Sequence, residues 1–268
     1  MDIFDYLLSL YYGFVFASVI SFANVFTSRC KKAFYEKSRK NISNKWKYIL
    51  SGRSKCDHCN SSITFIYLIP VFGYLFSLRK CTKCKQNISI SYFIEETIAF
   101  MYGFVFFYIT KKYNVHYHIL TIFMIFYFFI CYFISSIDFT YFLIPTEAIF
   151  SIFILSIMEY FLIDNKIQFI LWISIPITWF ALLHLINYFM PGKLGLADIH
   201  LIFALCLATA FPGSLFLPTI ASFIAIIYFF IRYRKEQWNT ARLTKIPFGL
   251  FLCIAFILLK LIPSSYIF

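Results

Sequence analysis

The chain has 268 residues, 61% of them hydrophobic and 23% aromatic, with a mean hydropathy of +0.78. Soluble domains use roughly 45–50% apolar residues, so this composition excludes a chain that hides its apolar surface in one aqueous core. The formal net charge is +12, and residues 28–92 carry a net +12 by themselves, with fourteen Lys or Arg against Glu36 and Asp57. A membrane protein concentrates bases in its cytoplasmic loops, which explains that segment more simply than nucleic-acid binding does.

Hydrophobic runs recur along the whole chain, at about 5–27, 93–110, 118–137, 142–163, 167–190, 197–212, 214–231 and 247–268. Each approaches the roughly 20 residues that a helix needs to cross a bilayer. The predicted fold is therefore all-α and polytopic, with about eight transmembrane helices. It divides into a first transmembrane helix at 1–27, a basic cytoplasmic loop at 28–92 and a seven-helix bundle at 93–268. The first run has two acids and no base ahead of it and no small-residue cleavage site after it, so it reads as a retained span. Placing the 28–92 loop in the cytoplasm puts the N-terminus outside. The same alternation returns Arg232, Arg234, Lys235, Arg242 and Lys245 to the cytoplasm, while Lys111 and Lys112 fall on the outer side.

Within the basic loop, Cys56-Asp57-His58-Cys59 and Cys81-Thr82-Lys83-Cys84 form two CxxC pairs. Four thiolates from two such turns give the closed tetrahedral set of a structural zinc site, with no position left for substrate. The loop is thus predicted to be a small zinc ribbon with Cys56, Cys59, Cys81 and Cys84 as ligands. Its bases are predicted to rest on anionic lipid headgroups.

Asp138 lies at the inner end of the third span and Asp198 at the start of the sixth, so the alternation brings two distant acids to the cytoplasmic face. Ionisable groups at membrane depth are costly and mark function. Two carboxylates brought together share a proton, so that one acts as base toward water and the other as acid. A purely structural role, capping a helix N-terminus, suits Asp198 and suits Asp138 poorly. Glu159 and Lys260, near the ends of their spans, are expected to snorkel toward an interface. His184 is expected to be a satisfied residue of the bundle.

These segments together resemble the prepilin peptidase family, also called type IV prepilin leader peptidases, collinearly over nearly the whole chain. Ser21-Phe22-Ala23-Asn24-Val25 with Arg29 is similar to the family's opening GSFLNVxxxR. The cysteine pairs flank Ile69-Pro70, and Ile88-Ser89-Ile90-Ser91-Tyr92 with Glu95-Glu96 resembles ISxRYPxxE. Asp138 with Ile144-Pro145 resembles DxxxxxIP, and Ile246-Pro247-Phe248-Gly249 resembles IPFG. The second catalytic motif, GxGD, reads Gly195-Leu196-Ala197-Asp198, with Ala197 in place of glycine. His200 stands where the family commonly has Lys.

The resemblance implies a membrane aspartic endopeptidase of the bacterial inner membrane, with Asp138 and Asp198 as catalytic residues facing the cytoplasm. It implies a type IV prepilin or pseudopilin as substrate. It also implies N-methylation of the new N-terminus with S-adenosylmethionine as donor. A basic leader calls for acids, and Glu95, Glu96, Glu147 and Glu236 are the candidates. The alternative is a catalytically degenerate scaffold or assembly factor for pilus or secretion machinery, supported by Ala197.

Overall fold

The protein is described by a computed structural model covering residues 3–35, 44–56, 58–113, 116–163, 169–192, 194–209, 211–233 and 246–262. Asp57, Arg234, Lys235, Glu236, Arg242 and Lys245 lie outside the described residues. No strand is present among the described residues, and two isolated antiparallel bridges, Lys55 with Ser62 and Lys80 with Asn87, are the extended pairings. In hydrocarbon each backbone amide and carbonyl must be satisfied within its own segment, and helices do this. A helix occupies each of the eight apolar runs.

The chain separates into two compact units, Met1–Lys112 and Tyr113–Phe268. In the first, α1 (Ile3–Cys30) continues as a π-helical turn over Lys31–Tyr35. The short helices α2 (Lys45–Leu50) and α3 (Phe72–Phe76) follow, and α4 (Ile90–Tyr113) closes the unit. Gly13 of α1 lies against Phe100, and Gly103 of α4 lies against Phe16, where a Cβ would come within 2.6 Å of the ring. Small residues facing large ones let membrane helices approach closely where the hydrophobic effect offers no drive. Lys111 pairs with Asp5 at the far end of the two helices. That partner accounts for a base that the alternation leaves on the outer side.

The second unit holds α5 (Tyr117–Tyr141), α6 (Thr146–Leu162), α7 (Phe169–Phe189), α8 (Leu196–Thr209), α9 (Gly213–Tyr233) and α10 (Phe248–Leu259). The α8 helix packs against α6, α7, α9 and α10. Accordingly it is apolar on all sides from Leu201 to Ala208, with Leu201, Leu205 and Cys206 fully buried, as a surrounded helix must be. Trp172 of α7 donates its indole N–H to the Leu207 carbonyl at 3.0 Å, fixing α7 against it. Among the described residues five helices are long and apolar enough to cross a bilayer: α1 with its π turn, α4, α5, α7 and α9. At 14 and 12 residues, α8 and α10 reach about 21 and 18 Å at 1.5 Å per residue. Both fall short of the roughly 30 Å hydrocarbon core.

Glu159 and Lys260 do not snorkel apart toward an interface. They pair with each other at 2.6 Å, with Glu159 only 8% exposed, and the Lys260 ammonium lies 5.4 Å from the Tyr127 ring centre. The partners are 101 residues apart, so inspection of either span alone could not join them. Removing one member of a buried pair leaves an uncompensated charge, at a cost of about 3–5 kcal/mol. Lys260→Met should therefore lower the thermal midpoint of the detergent-purified protein sharply, and adding Glu159→Gln should recover most of the loss. A double variant as unstable as the single one would show that the pair is not what the α6–α10 contact depends on.

Candidate active site and metal centre

The end of α5 is set by Phe142, which turns into the left-handed region at φ 54 and donates its N–H to the Asp138 carbonyl at 2.9 Å. The chain then reverses through Leu143 and Ile144 to Pro145, the N-cap of α6. Asp138 is thereby held on the last turn of α5, 4% exposed. Its side chain meets another helix: α10 begins after Pro247, which has no side chain able to cap. Asp138 Oδ2 accepts the N–H of Leu250 at 3.1 Å, and the Gly249 amide also bonds to the carboxylate. A helix N-terminus leaves its first amides without partners, and here a carboxylate from another helix takes them. Asp138, the acid that the sequence fits least well to a capping role, is thus the one that caps.

Gly249 is required by this packing. A Cβ there would come 2.9 Å from Ile144 Cδ1 and 3.0 Å from Asp138 Oδ2. The two motifs ending in Ile144-Pro145 and Phe248-Gly249 are therefore parts of one contact.

Asp198 stands in the first turn of α8, half-buried. Its carboxylate folds over Gly195, where a Cβ would fall 2.6 Å from Oδ2. Ala197 lies inside α8 and is not among the residues of positive φ. The position asks for no conformation that alanine resists, which removes the backbone argument for a degenerate site. Asp138 and Asp198, sixty residues apart in sequence, are close enough for their charges to act on each other.

Beside Asp198, His200 bonds through Nδ1 to the Leu196 carbonyl at 2.6 Å, and its ring centre lies 6.1 Å from that of His184. His184 Nε2 is buried with no hydrogen-bond partner among the described residues. His184 is therefore not the satisfied residue expected from sequence, and no local pattern marks its approach to His200. Of the acids considered for a basic leader, Glu95 accepts the Asn24 amide at 2.9 Å and Glu96 accepts the Val71 N–H at 2.7 Å, both within the first unit. Glu147 is exposed in the first turn of α6.

The four loop cysteines converge in the first unit, their sulfurs all within 4.8 Å of one another. The two turns are built alike. Cys56 N–H bonds to Ser61 O and Asn60 N–H to Cys56 O, while Cys81 N–H bonds to Gln86 O and Lys85 N–H to Cys81 O. Asn60 and Lys85 both take the left-handed conformation, at φ 54 and 60. Cys56 and Cys84 sulfurs lie 3.8 Å apart, Cys59 and Cys81 sulfurs 3.9 Å. Metal–thiolate bonds of about 2.3 Å in a tetrahedron set sulfur separations of about 3.8 Å, so the group fits a metal ion.

Bonds from the Cys84 and Lys83 amides pull the Cys81 thiol down to about 6. The Cys59 thiol is lowered by its bonds with Ser61. Cys84 moves the other way, to about 11: a bond from Gln86 lowers it, but desolvation and the bonds with Cys81, Cys59 and Cys56 outweigh that. Some thiolates form readily, whereas the complete set needs a cation to offset its own repulsion. The purified protein should carry about one equivalent of divalent metal per chain by elemental analysis. Because ligand thiols must lose their protons, occupancy should fall as pH is lowered through the Cys81 value, and Cys81→Ser should weaken retention against a chelator. Full folding and no metal across that range would exclude a metal centre.

Residues 14–112 match the family model described as the Bacterial Peptidase A24 N-terminal domain. That range takes in the cysteine turns and most of the first unit, and it ends before both aspartates. The chain is 30% identical over 106 residues to the prepilin leader peptidase/N-methyltransferase of Vibrio cholerae serotype O1. The match covers 40% of this chain and 40% of the relative. No solved structure matches the chain.

Proposed function

From the similarity of its N-terminal unit to the Bacterial Peptidase A24 N-terminal domain and to a prepilin leader peptidase/N-methyltransferase, we propose that the chain is a membrane aspartic endopeptidase of the prepilin peptidase family. Its substrates are type IV prepilins or pseudopilins, whose leader it removes at the cytoplasmic face of the inner membrane. The observation that carries this reading is that the Asp138 carboxylate caps the start of α10 while Asp198 stands in the first turn of α8, where the Asp138 charge acts on it. Hydrolysis of a peptide needs a base to take a proton from water and an acid to protonate the departing amine. Two carboxylates that share one proton supply both roles in turn. Amides of the α10 N-terminus orient Asp138, and the turn at Gly195 leaves room for the Asp198 carboxylate.

Zinc on Cys56, Cys59, Cys81 and Cys84 holds the loop together and leaves the hydrolysis to the carboxylates. The name of the Vibrio relative supports a second activity, methylation of the new N-terminal amine with S-adenosylmethionine as donor. Glu147, exposed one turn beyond the Asp138 reversal, is suited to meet a basic leader.

Co-expression with a type IV prepilin should give a leader-processed band on gels. Asp138→Asn and Asp198→Asn should each reduce processing by at least about 100-fold, the scale of general acid–base catalysis. Normal processing by either variant would overturn the dyad. Mass spectrometry of the processed N-terminus decides methylation, and an unmodified amine after efficient cleavage would remove that activity.

A further inference from the structure

Between the two cysteine turns, residues 61–78 contain no charged side chain, and Arg53, Lys55, Arg79, Lys80, Lys83 and Lys85 surround them. This stretch forms a 3-10 turn at Phe65–Leu68, a sharp bend, and α3. The two pieces fold back so tightly that a Cβ on Gly73 would lie 2.3 Å from the Tyr67 carbonyl. A stretch folded back on itself in this way does not span, and it suits a re-entrant segment.

Its depth follows from contacts inside the first unit. The Asp5–Lys111 pair marks one rim of the α1–α4 hairpin, and about 20 residues of helix cross the hydrocarbon core. The opposite boundary therefore falls near Val25 on α1 and near Ser91 on α4. Phe72 stacks on Phe14 at 5.8 Å, and Phe14 touches Phe100 at 5.0 Å. At 1.5 Å per residue, Phe14 and Phe100 stand about 14 and 17 Å from the rim, near mid-bilayer. Glu96, which holds the Val71 N–H, is about 23 Å from the rim, still below the boundary. Tyr74 stacks on Phe93, and its hydroxyl accepts from Arg79 Nε at 3.2 Å. That is the posture of an interfacial aromatic, with the ring in lipid and the oxygen toward the headgroups.

Irregular backbone at such depth must find partners in the protein. Phe72 N–H bonds to Pro70 O and Gly73 N–H to Ile69 O, each at 2.7 Å. Pro70 has no N–H, and Val71, at φ 66, gives its own to Glu96. The bend is satisfied, while its side chains are not covered: Phe65 is 79% exposed and Leu78 78%, with Ile66, Leu75 and Phe76 also open.

We infer that residues 63–78 form a re-entrant hairpin, pinned by Glu96, whose open apolar face enters the bilayer leaflet on the cysteine side. The bases that directly follow it, Arg79 and Lys80, engage anionic headgroups. The occupant of that face is lipid: the position at membrane depth calls for acyl chains, and these cations call for acidic phospholipid.

The test is photocrosslinking of the full chain in nanodiscs, with p-benzoylphenylalanine at position 65, 76 or 78. Position 126, exposed on α5, is the lipid control, and position 85 is the aqueous control. Phospholipid adducts at 65, 76 and 78 should match position 126 and exceed position 85 by at least about tenfold. Their yield should rise when phosphatidylglycerol replaces phosphatidylcholine. Glu96→Ala should lower the adduct at 76 while leaving 126 unchanged, and Glu96→Gln, which keeps an acceptor oxygen, should retain it. Adducts at the level of position 85, or adducts to added prepilin in place of lipid, would overturn the proposal. None of these readouts depends on peptidase activity.

Discussion

Inside a bilayer a peptide amide without an acceptor has no water to turn to, and each such group costs several kcal/mol. Helices solve the problem along their length and recreate it at their first turn. In this protein helix starts and bends at membrane depth are met by carboxylates from elsewhere in the fold. Asp138 takes the amides at the start of α10, and Glu96 takes the Val71 amide at a bend that proline alone could not close. The same need that forces the chain into helices thus decides where acids can stand.

This places chemistry and architecture in the same residues. The α5–α6 reversal at Phe142–Pro145 and the start of α10 at Pro247 meet through Ile144, Gly249 and Asp138. A change in any of them moves the carboxylate as well as the helix. The ion pair of Glu159 and Lys260 works at the opposite end of α6 and α10, tying the helices that carry the reversal and its cap.

Much of this was legible in the sequence. Long apolar runs were enough to give eight helices, because hydrocarbon leaves the backbone few alternatives. The CxxC spacing gave the cysteine cluster, because each pair is a local turn. What stayed hidden was what two distant segments do to each other. The Asp138 to Leu250 bond joins residues 112 apart, and no local pattern marks it. The apolar stretch between the cysteine turns sat inside so basic a loop that charge masked its hydropathy. Ala197 stood out as a departure from a motif, yet it occupies ordinary helical backbone, a fact that dihedral angles hold and letters do not.

The length of α8 has a consequence of its own. It is enclosed by four helices and reaches about 21 Å, so roughly 9 Å of the hydrocarbon thickness is left unspanned at the centre of the second unit. A gap walled by other helices is closed to acyl chains, so a polar side chain can stand there without facing lipid. Asp198 stands in the first turn of that short helix. In the proposed reaction the reactant that must reach this carboxylate is water, and a helix that stops short is the element that leaves it room.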